Sequence, residues 1–325
     1  MPRGLVLGLL RAIGVVMGVV TLTFVLLHLA PGDPAQRLLG PTATPAQVEA
    51  ARHGLGLDRP LAAQYLSWLG RAARGDFGTS IATGRRVGAL LAGAWPATAI
   101  LVVLSLGLTY LIGIAVGTVQ ANLRNKVADS SLTVITVALN ALPGYWLGLV
   151  LIMVFTYQLR WLPSFGASGV DADFLSVGGR ILDRLRHLIL PLVTLTIIGV
   201  GGAARFVRAA MREARDAPYL VVARSKGIGR VRRVFRHQLR NALVPVVTLL
   251  GLSLPALFSG TVFVEAIFAW PGVGQLIVQG VQARDYPVVM AAATASAVLV
   301  VLGNLLADVL VGVVDPRTRR NHGPA

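Results

Sequence analysis

Apolar residues in this chain gather in six long blocks separated by polar stretches of unequal length. The blocks cover residues 10–30, 97–120, 132–157, 188–207, 243–264 and 287–313, and each reaches the roughly 20 residues that carry a helix across a bilayer. The fourth is the weakest, since only Leu188–Ala204 is free of charge. The blocks are continuously apolar and lack the period of two that a lipid-facing barrel strand requires. The pattern predicts an all-α integral membrane protein with six transmembrane helices.

The stretch 31–96 carries helical patterns of its own. Ala30–Pro34 (APGDP) stops the first block with two prolines. Thr44-Pro45-Ala46-Gln47 has the form of a capping box with proline at the first helical position, opening a helix toward Gly54. Leu61, Tyr65, Trp68, Leu69 and Ala72 share one face of a second helix that Gly75 ends. The predicted organisation is an N-terminal helix (1–30), an extracytoplasmic helical segment (31–96), a five-helix core (97–313) and a tail (314–325). The first block is longer than a signal-peptide core of about 7–15 residues, and His28 spoils a cleavage site, so it reads as a retained helix.

Within the blocks, Gly14/Gly18, Gly113/Gly117 and Gly144/Gly148 have the four-residue spacing that lets helix backbones approach. Pro143, Pro245 and Pro255 release backbone carbonyls. Such kinks are tolerated where protein or a water-lined cavity covers them, so either a translocation path or ordinary curvature accounts for them. Ionisable residues are nearly absent from the blocks. Asp308 lies toward one end of the last, and Glu265 and Asp285 sit at the ends of the fifth and sixth. No mid-membrane series is present for proton coupling or voltage sensing.

Composition agrees, with 55% hydrophobic and 14% charged residues, against about 25% charged in a soluble domain. The net charge of +16 would suit nucleic acid, but its distribution argues for a membrane. With both termini cytoplasmic, 18 of the 30 Lys/Arg fall on the cytoplasmic side, as the positive-inside rule demands. Arg180, Arg184 and Arg186 run against this assignment. Cysteine is absent, so disulfides and thiolate chemistry are excluded. The five histidines show no zinc spacing, and neither a P-loop nor a G-x-S-x-G elbow occurs. No catalytic constellation emerges, and no metal site.

The densest charge lies at Tyr219–Pro245, with seven Lys/Arg and no acid. Helical patterns flank Gly227, and Val231, Val234, Phe235 and Leu239 line one face of the second. An amphipathic helix–glycine–helix at the cytoplasmic surface fits a soluble docking partner; a lipid-associated basic helix is the plainer alternative.

With those residues in view, the chain resembles the inner-membrane permeases of the dipeptide/oligopeptide/nickel branch of bacterial ABC importers. The resemblance covers nearly the whole length. It rests on APGDP (30–34), LGLDRPLAAQYLSWL (55–69), RGDFGTS (74–80), LPGYWLGLVLI (142–152), ARSKG (223–227), HQLRNALVP (237–245) and VEAIFAWPGVGQLIVQGVQARDYPVVM (264–290). Such permeases carry an E-A-A-x-x-x-G coupling motif whose helix seats on the ATPase subunit. Here it falls on Val221, Val222, Ala223 and Gly227, so only the second Ala and the Gly match. The downstream I-x-L-P falls from His237 to Arg240 with its Ile and Pro replaced.

The resemblance implies a coupling loop within 208–241 using Ala223, Arg224, Lys226, Gly227, Val231, Phe235, His237, Leu239 and Arg240, whose arginines would meet acidic ATPase or lipid phosphate. It implies an outer rim or gate from Glu265, Trp270, Pro271, Gly272, Gly274, Arg284 and Asp285; a loop held by an Arg284–Asp285 contact is the alternative. The implied partners are a second related permease, two ATPase subunits or domains binding ATP and Mg, an extracytoplasmic substrate-binding protein, and membrane lipid. This chain itself would bind no cofactor and be no enzyme. Peptides are the expected cargo, with nickel or a glutathione-like solute as alternatives. An ATP-independent channel or secondary carrier is the rival of another class.

Overall fold

The structure is a computed structural model that describes residues 2–215 and 217–314. Thirteen α-helices account for most of these residues, and a single bridge, Thr79 to Arg86, is the only extended pairing among them. The helices are α1 (Pro2–Leu29), α2 (Pro34–Leu39), α3 (Pro45–Leu55), α4 (Leu61–Ala72), α5 (Val87–Asn122), α6 (Lys126–Ala141), α7 (Gly144–Leu151), α8 (Val177–Arg215), α9 (Pro218–Ser225), α10 (Arg230–Arg232), α11 (Arg240–Ile267), α12 (Val273–Ala283) and α13 (Tyr286–Val314). A π-helical stretch, Ile152–Gln158, follows α7, and a second, Arg233–Leu239, joins α10 to α11. The chain divides into two compact units, one of residues 1–99 with 269–301 and one of 100–268 with the remainder.

In the first unit, Val20, Phe24 and Leu27 recur at helical spacing on α1 and pack with Trp68, Val289 and Met290. The predicted capping box is present. Thr44 accepts from the Gln47 amide while the Gln47 side chain accepts from the Thr44 N–H, and Pro45 opens α3. Asp33 caps α2 and also takes Arg52 of α3 at 2.8 Å, fastening to α2 a short helix that buries no residue of its own. On α4, Tyr65, Trp68, Leu69 and Ala72 turn inward as the pattern predicts, but Leu61 stays exposed.

The second unit is assembled around α8. A Cβ on Gly117 of α5 would stand 2.5 Å from the Ala204 carbonyl oxygen, and one on Gly113 2.6 Å from Ala203 Cβ. On the α6 side, a Cβ on Gly201 would stand 2.1 Å from the Thr136 carbonyl oxygen. Side chains between these helices would hold the backbones apart, and glycine removes them. Gly144 meets Ile198 and Gly148 meets the Phe268 ring in the same way, whereas Gly14 and Gly18 have nothing within 4 Å.

Among the described residues, four helices are long and apolar enough to cross a membrane, in α1, α5, α8 and α13, and the α6–α7 pair makes a fifth if counted as one span. The predicted span 243–264 lies in α11, several of whose side chains, like that of Asp308, are outside the described residues. Two spans differ from expectation. The block 132–157 is broken by a 98° bend. Leu142 is extended (ψ 132°) because the ring of Pro143 disfavours helix in the residue before it. The block 188–207 is only the apolar middle of α8, whose 39 residues at 1.5 Å each reach about 58 Å, nearly twice a hydrocarbon core. Arg180, Arg184 and Arg186 therefore ride on its first turns instead of a loop.

Gly201→Leu is expected to cost at least about 3 kcal/mol, the upper end of overpacking penalties, because the clash is with backbone. Thermal unfolding in detergent checks it, with Gly14→Ala staying within about 1 kcal/mol of the parent as the control.

Candidate functional site

The basic loop is a folded element with an inner and an outer face. Pro218 opens α9, which buries Leu220 and Ala223 and exposes Tyr219, Val221, Val222 and Arg224. Past Lys226 the chain turns at Gly227 with φ 70°, the left-handed region that glycine enters without penalty. The Gly227 and Ile228 amides donate back to the Arg224 and Ala223 carbonyls. The second limb corrects the single apolar face expected of Val231, Val234, Phe235 and Leu239. In the π stretch Arg233–Leu239, hydrogen bonds span five residues instead of four. Val234 and Leu239 turn inward against a core of Leu106, Tyr110, Val207 and Met211, while Val231 and Phe235 are 72% and 61% exposed. His237 is half-buried and Arg240 exposed.

Side chains tie this loop to the helix ends around it. Arg230 donates to the Asn122 carbonyl at 2.8 Å, and Gln238, 3% exposed, donates to the Met211 carbonyl at 2.7 Å. Nearby, Asp129 in the first turn of α6 accepts both Arg208 (3.0 and 2.7 Å) and Arg212 (2.7 Å) of α8. Neither hydrophobic periodicity nor motif spacing marks these pairs.

The helices of the second unit also enclose a cavity of about 590 Å³, for which sequence offered no lining residues. Its wall includes Thr109, Tyr110, Tyr145, Phe206, Ser253 and Pro143 at the helix break, and none of its lining residues is charged. The Tyr110 and Ser253 hydroxyls are 2.7 Å apart.

The segment 264–290 is mostly buried or half-buried. Glu265 belongs to the second unit and is fully buried. The other six candidates lie in the first unit, where Trp270, Gly272, Gly274 and Asp285 are buried, Arg284 is half-buried and Pro271 exposed. The Trp270 indole donates to the Ala97 carbonyl at 3.0 Å, and Val273 N–H donates to Thr98 Oγ1 at 2.9 Å, starting α12. The Arg284–Asp285 contact envisaged from sequence is not what holds the turn. The Arg284 guanidinium donates to the Pro31 carbonyl of APGDP, and its backbone sits at φ 57°. Asp285 accepts the Ser80 hydroxyl at 2.5 Å and the Ala82 amide at 3.1 Å, and its other oxygen faces the Val288 amide of α13. Adjacent side chains on a turn diverge, so each pairs with a distant segment.

Comparison with known proteins now bears on these features. Residues 109–320 match the family of binding-protein-dependent transport system inner membrane components, and residues 1–102 match the N-terminal part of such membrane components. The chain belongs to this family. It is 40% identical to the oligopeptide transport system permease protein AppB of Bacillus subtilis (strain 168), over 95% of this chain and 96% of the relative. Identity is 38% to the di/tripeptide transport system permease protein DppB of Pseudomonas aeruginosa, over 93% and 94%. It is 37% to the glutathione transport system permease protein GsiC of Escherichia coli K12, over 92% of each. A chain of the inward-facing MetNI methionine ABC transporter has the same fold, with a TM-score of 0.55 and 20% identity, over 70% of this chain and 96% of that one. This family member is thus a multi-pass membrane component of a binding-protein-dependent transport system, and the all-α membrane fold expected from the sequence is met, with four to five spans found among the described residues.

Two substitutions test these sites. Gly227→Val forces a β-branched residue to positive φ, at about 1–2 kcal/mol, with no neighbour within 4 Å to crowd it. Transport is expected to be lost with insertion intact, and Gly227→Asn, which tolerates that region, to retain far more; uptake assays with matched expression decide. Asp285→Ala strips the buried Ser80 hydroxyl of its acceptor, at about 1–3 kcal/mol, and leaves the Ala82 amide to solvent. A lower midpoint of thermal unfolding in detergent is the readout.

Proposed function

We propose that the chain forms half of the translocation pathway of an ATP-driven peptide importer. A second, related permease supplies the other half, and two ATPase subunits that bind ATP and Mg seat against the 219–245 loop. An extracytoplasmic binding protein delivers the cargo, and both termini lie in the cytoplasm. The observation that carries this reading is the build of the basic loop. Val221, Val222, Val231 and Phe235 stand exposed among Arg and Lys on an element anchored from beneath. A soluble, partly acidic subunit complements that face. The peptide cargo is supported by the full-length likeness to permeases named for oligopeptides and di/tripeptides, and an uncharged cavity wall suits cargo of varied side chains.

Coupling requires that ATP-bound and nucleotide-free partners contact the loop differently, since only differential contact shifts a conformational equilibrium. The loop's two faces allow this, one for the partner and one for the helices.

Uptake in cells lacking the gene tests the cargo, comparing labelled tripeptide, glutathione and nickel, each with complementation. Tripeptide uptake is expected to be lost and restored alone. Loss of glutathione or nickel uptake alone would move the chain to that substrate.

A further inference from the structure

We infer that Arg230 and Gln238 are positioning residues that transmit loop movement to α5 and α8. The inference rests on the proposed seating of the ATPase against this loop.

Both bonds end on a backbone carbonyl near the C-terminal end of a long helix. Asn122 is the last residue of α5, and Met211 lies in the last turn and a half of α8. The Asn122 carbonyl, at the end of α5, is left without an intrahelical donor, and the negative end of the dipole favours a cation there. The Met211 carbonyl, inside α8, accepts Gln238 on its second lone pair. A guanidinium on Asn122 and an amide on Met211 therefore grip the two helices where their backbones can accept a partner. The two grips come from opposite ends of one limb, eight residues apart, with Val234 between them and Leu239 just beyond, both packed on the core beneath.

The gripped helices are themselves locked together. At Gly113 and Gly117, α5 rests on Ala203, Ala204 and Val207 of α8 without room for a methyl group. Packed interfaces of this kind do not shear smoothly. A push on the limb carrying Val231 and Phe235 thus moves α5 and α8 as one body. Tyr110 of α5 and Phe206 of α8 line the cavity on that body. Arg230 is exposed apart from its carbonyl bond and faces α5, so its removal leaves the outward apolar face in place.

The test uses the full transporter in liposomes, with both permeases, the ATPases and the binding protein, and a labelled tripeptide. Arg230→Met is expected to keep the ATPase in the complex and to lower tripeptide imported per ATP hydrolysed by about tenfold. Gln238→Leu should act in the same direction, and Arg230→Lys, which still donates, should restore most of the ratio. An unchanged ratio in Arg230→Met, or loss of the ATPase from the complex, overturns the inference. If the unmutated complex imports no tripeptide, the cargo reading fails, and a second readout judges the grip alone. The chain has no cysteine, so Val119→Cys on the exposed face of α5 and Ser225→Cys in the loop each accept one spin label. In the parent, ATP should shift both spectra. In Arg230→Met the loop label should respond and the α5 label fall silent; a full response at α5 refutes the grip.

Discussion

Backbone-to-backbone contact along α8 is the constraint on which the second unit depends. Lipid offers helices little hydrophobic reason to associate, so dispersion across closely fitted surfaces must hold them. Gly113 and Gly117 bring α5 against one side of α8, and Gly201 brings α6 against another. Once those three axes are fixed, the remaining pieces have few alternatives. The Asp129 carboxylate meets Arg208 and Arg212 because α6 and α8 are already adjacent. The 590 Å³ cavity exists where α7 turns away at Pro143 and leaves the α5–α8 pair uncovered.

The same logic explains why the loop is ordered although basic. Seven like charges within Tyr219–Pro245 repel one another and would favour an extended segment. Leu220, Ala223, Val234 and Leu239 draw the loop inward instead, and Arg230 spends its charge on a helix end. The charges that remain outward flank exposed valines and Phe235, so the surface combines positive charge with apolar area.

What was legible in the sequence divides by the range of the interaction that decides it. The Thr44–Gln47 capping box depends on neighbours within three residues, and it forms as read. The close helix contacts at Gly113 and Gly117 were legible as spacing, though the partner helix was not. Hydropathy found the apolar middle of α8 and missed its charged ends, because a helix continues through arginine as readily as through leucine. Pro143 announced a kink, but a 98° break needs surrounding helices to accept it. The π stretch at 233–239 was invisible, since no local residue preference separates it from an α-helix, and it redistributes the loop's apolar side chains. Arg230, Gln238 and the cavity wall depend on contacts across tens of residues, which spacing along the chain does not encode.

The Asp285–Ser80 bond spans 205 residues, and the first unit as a whole is built from two ends of the chain. During synthesis α1 and the 31–96 segment are made long before α12 and α13 exist. Their core of Val20, Phe24 and Trp68 must wait for Val289 and Met290 while every intervening helix is made. Non-local closure of this kind is slow and leaves apolar surface unpaired in the meantime. The turn at 284–285 thus acts as a late latch on the first unit in biogenesis, and a chain halted before it has emerged already holds α5, α6 and α8 but an unfinished first unit.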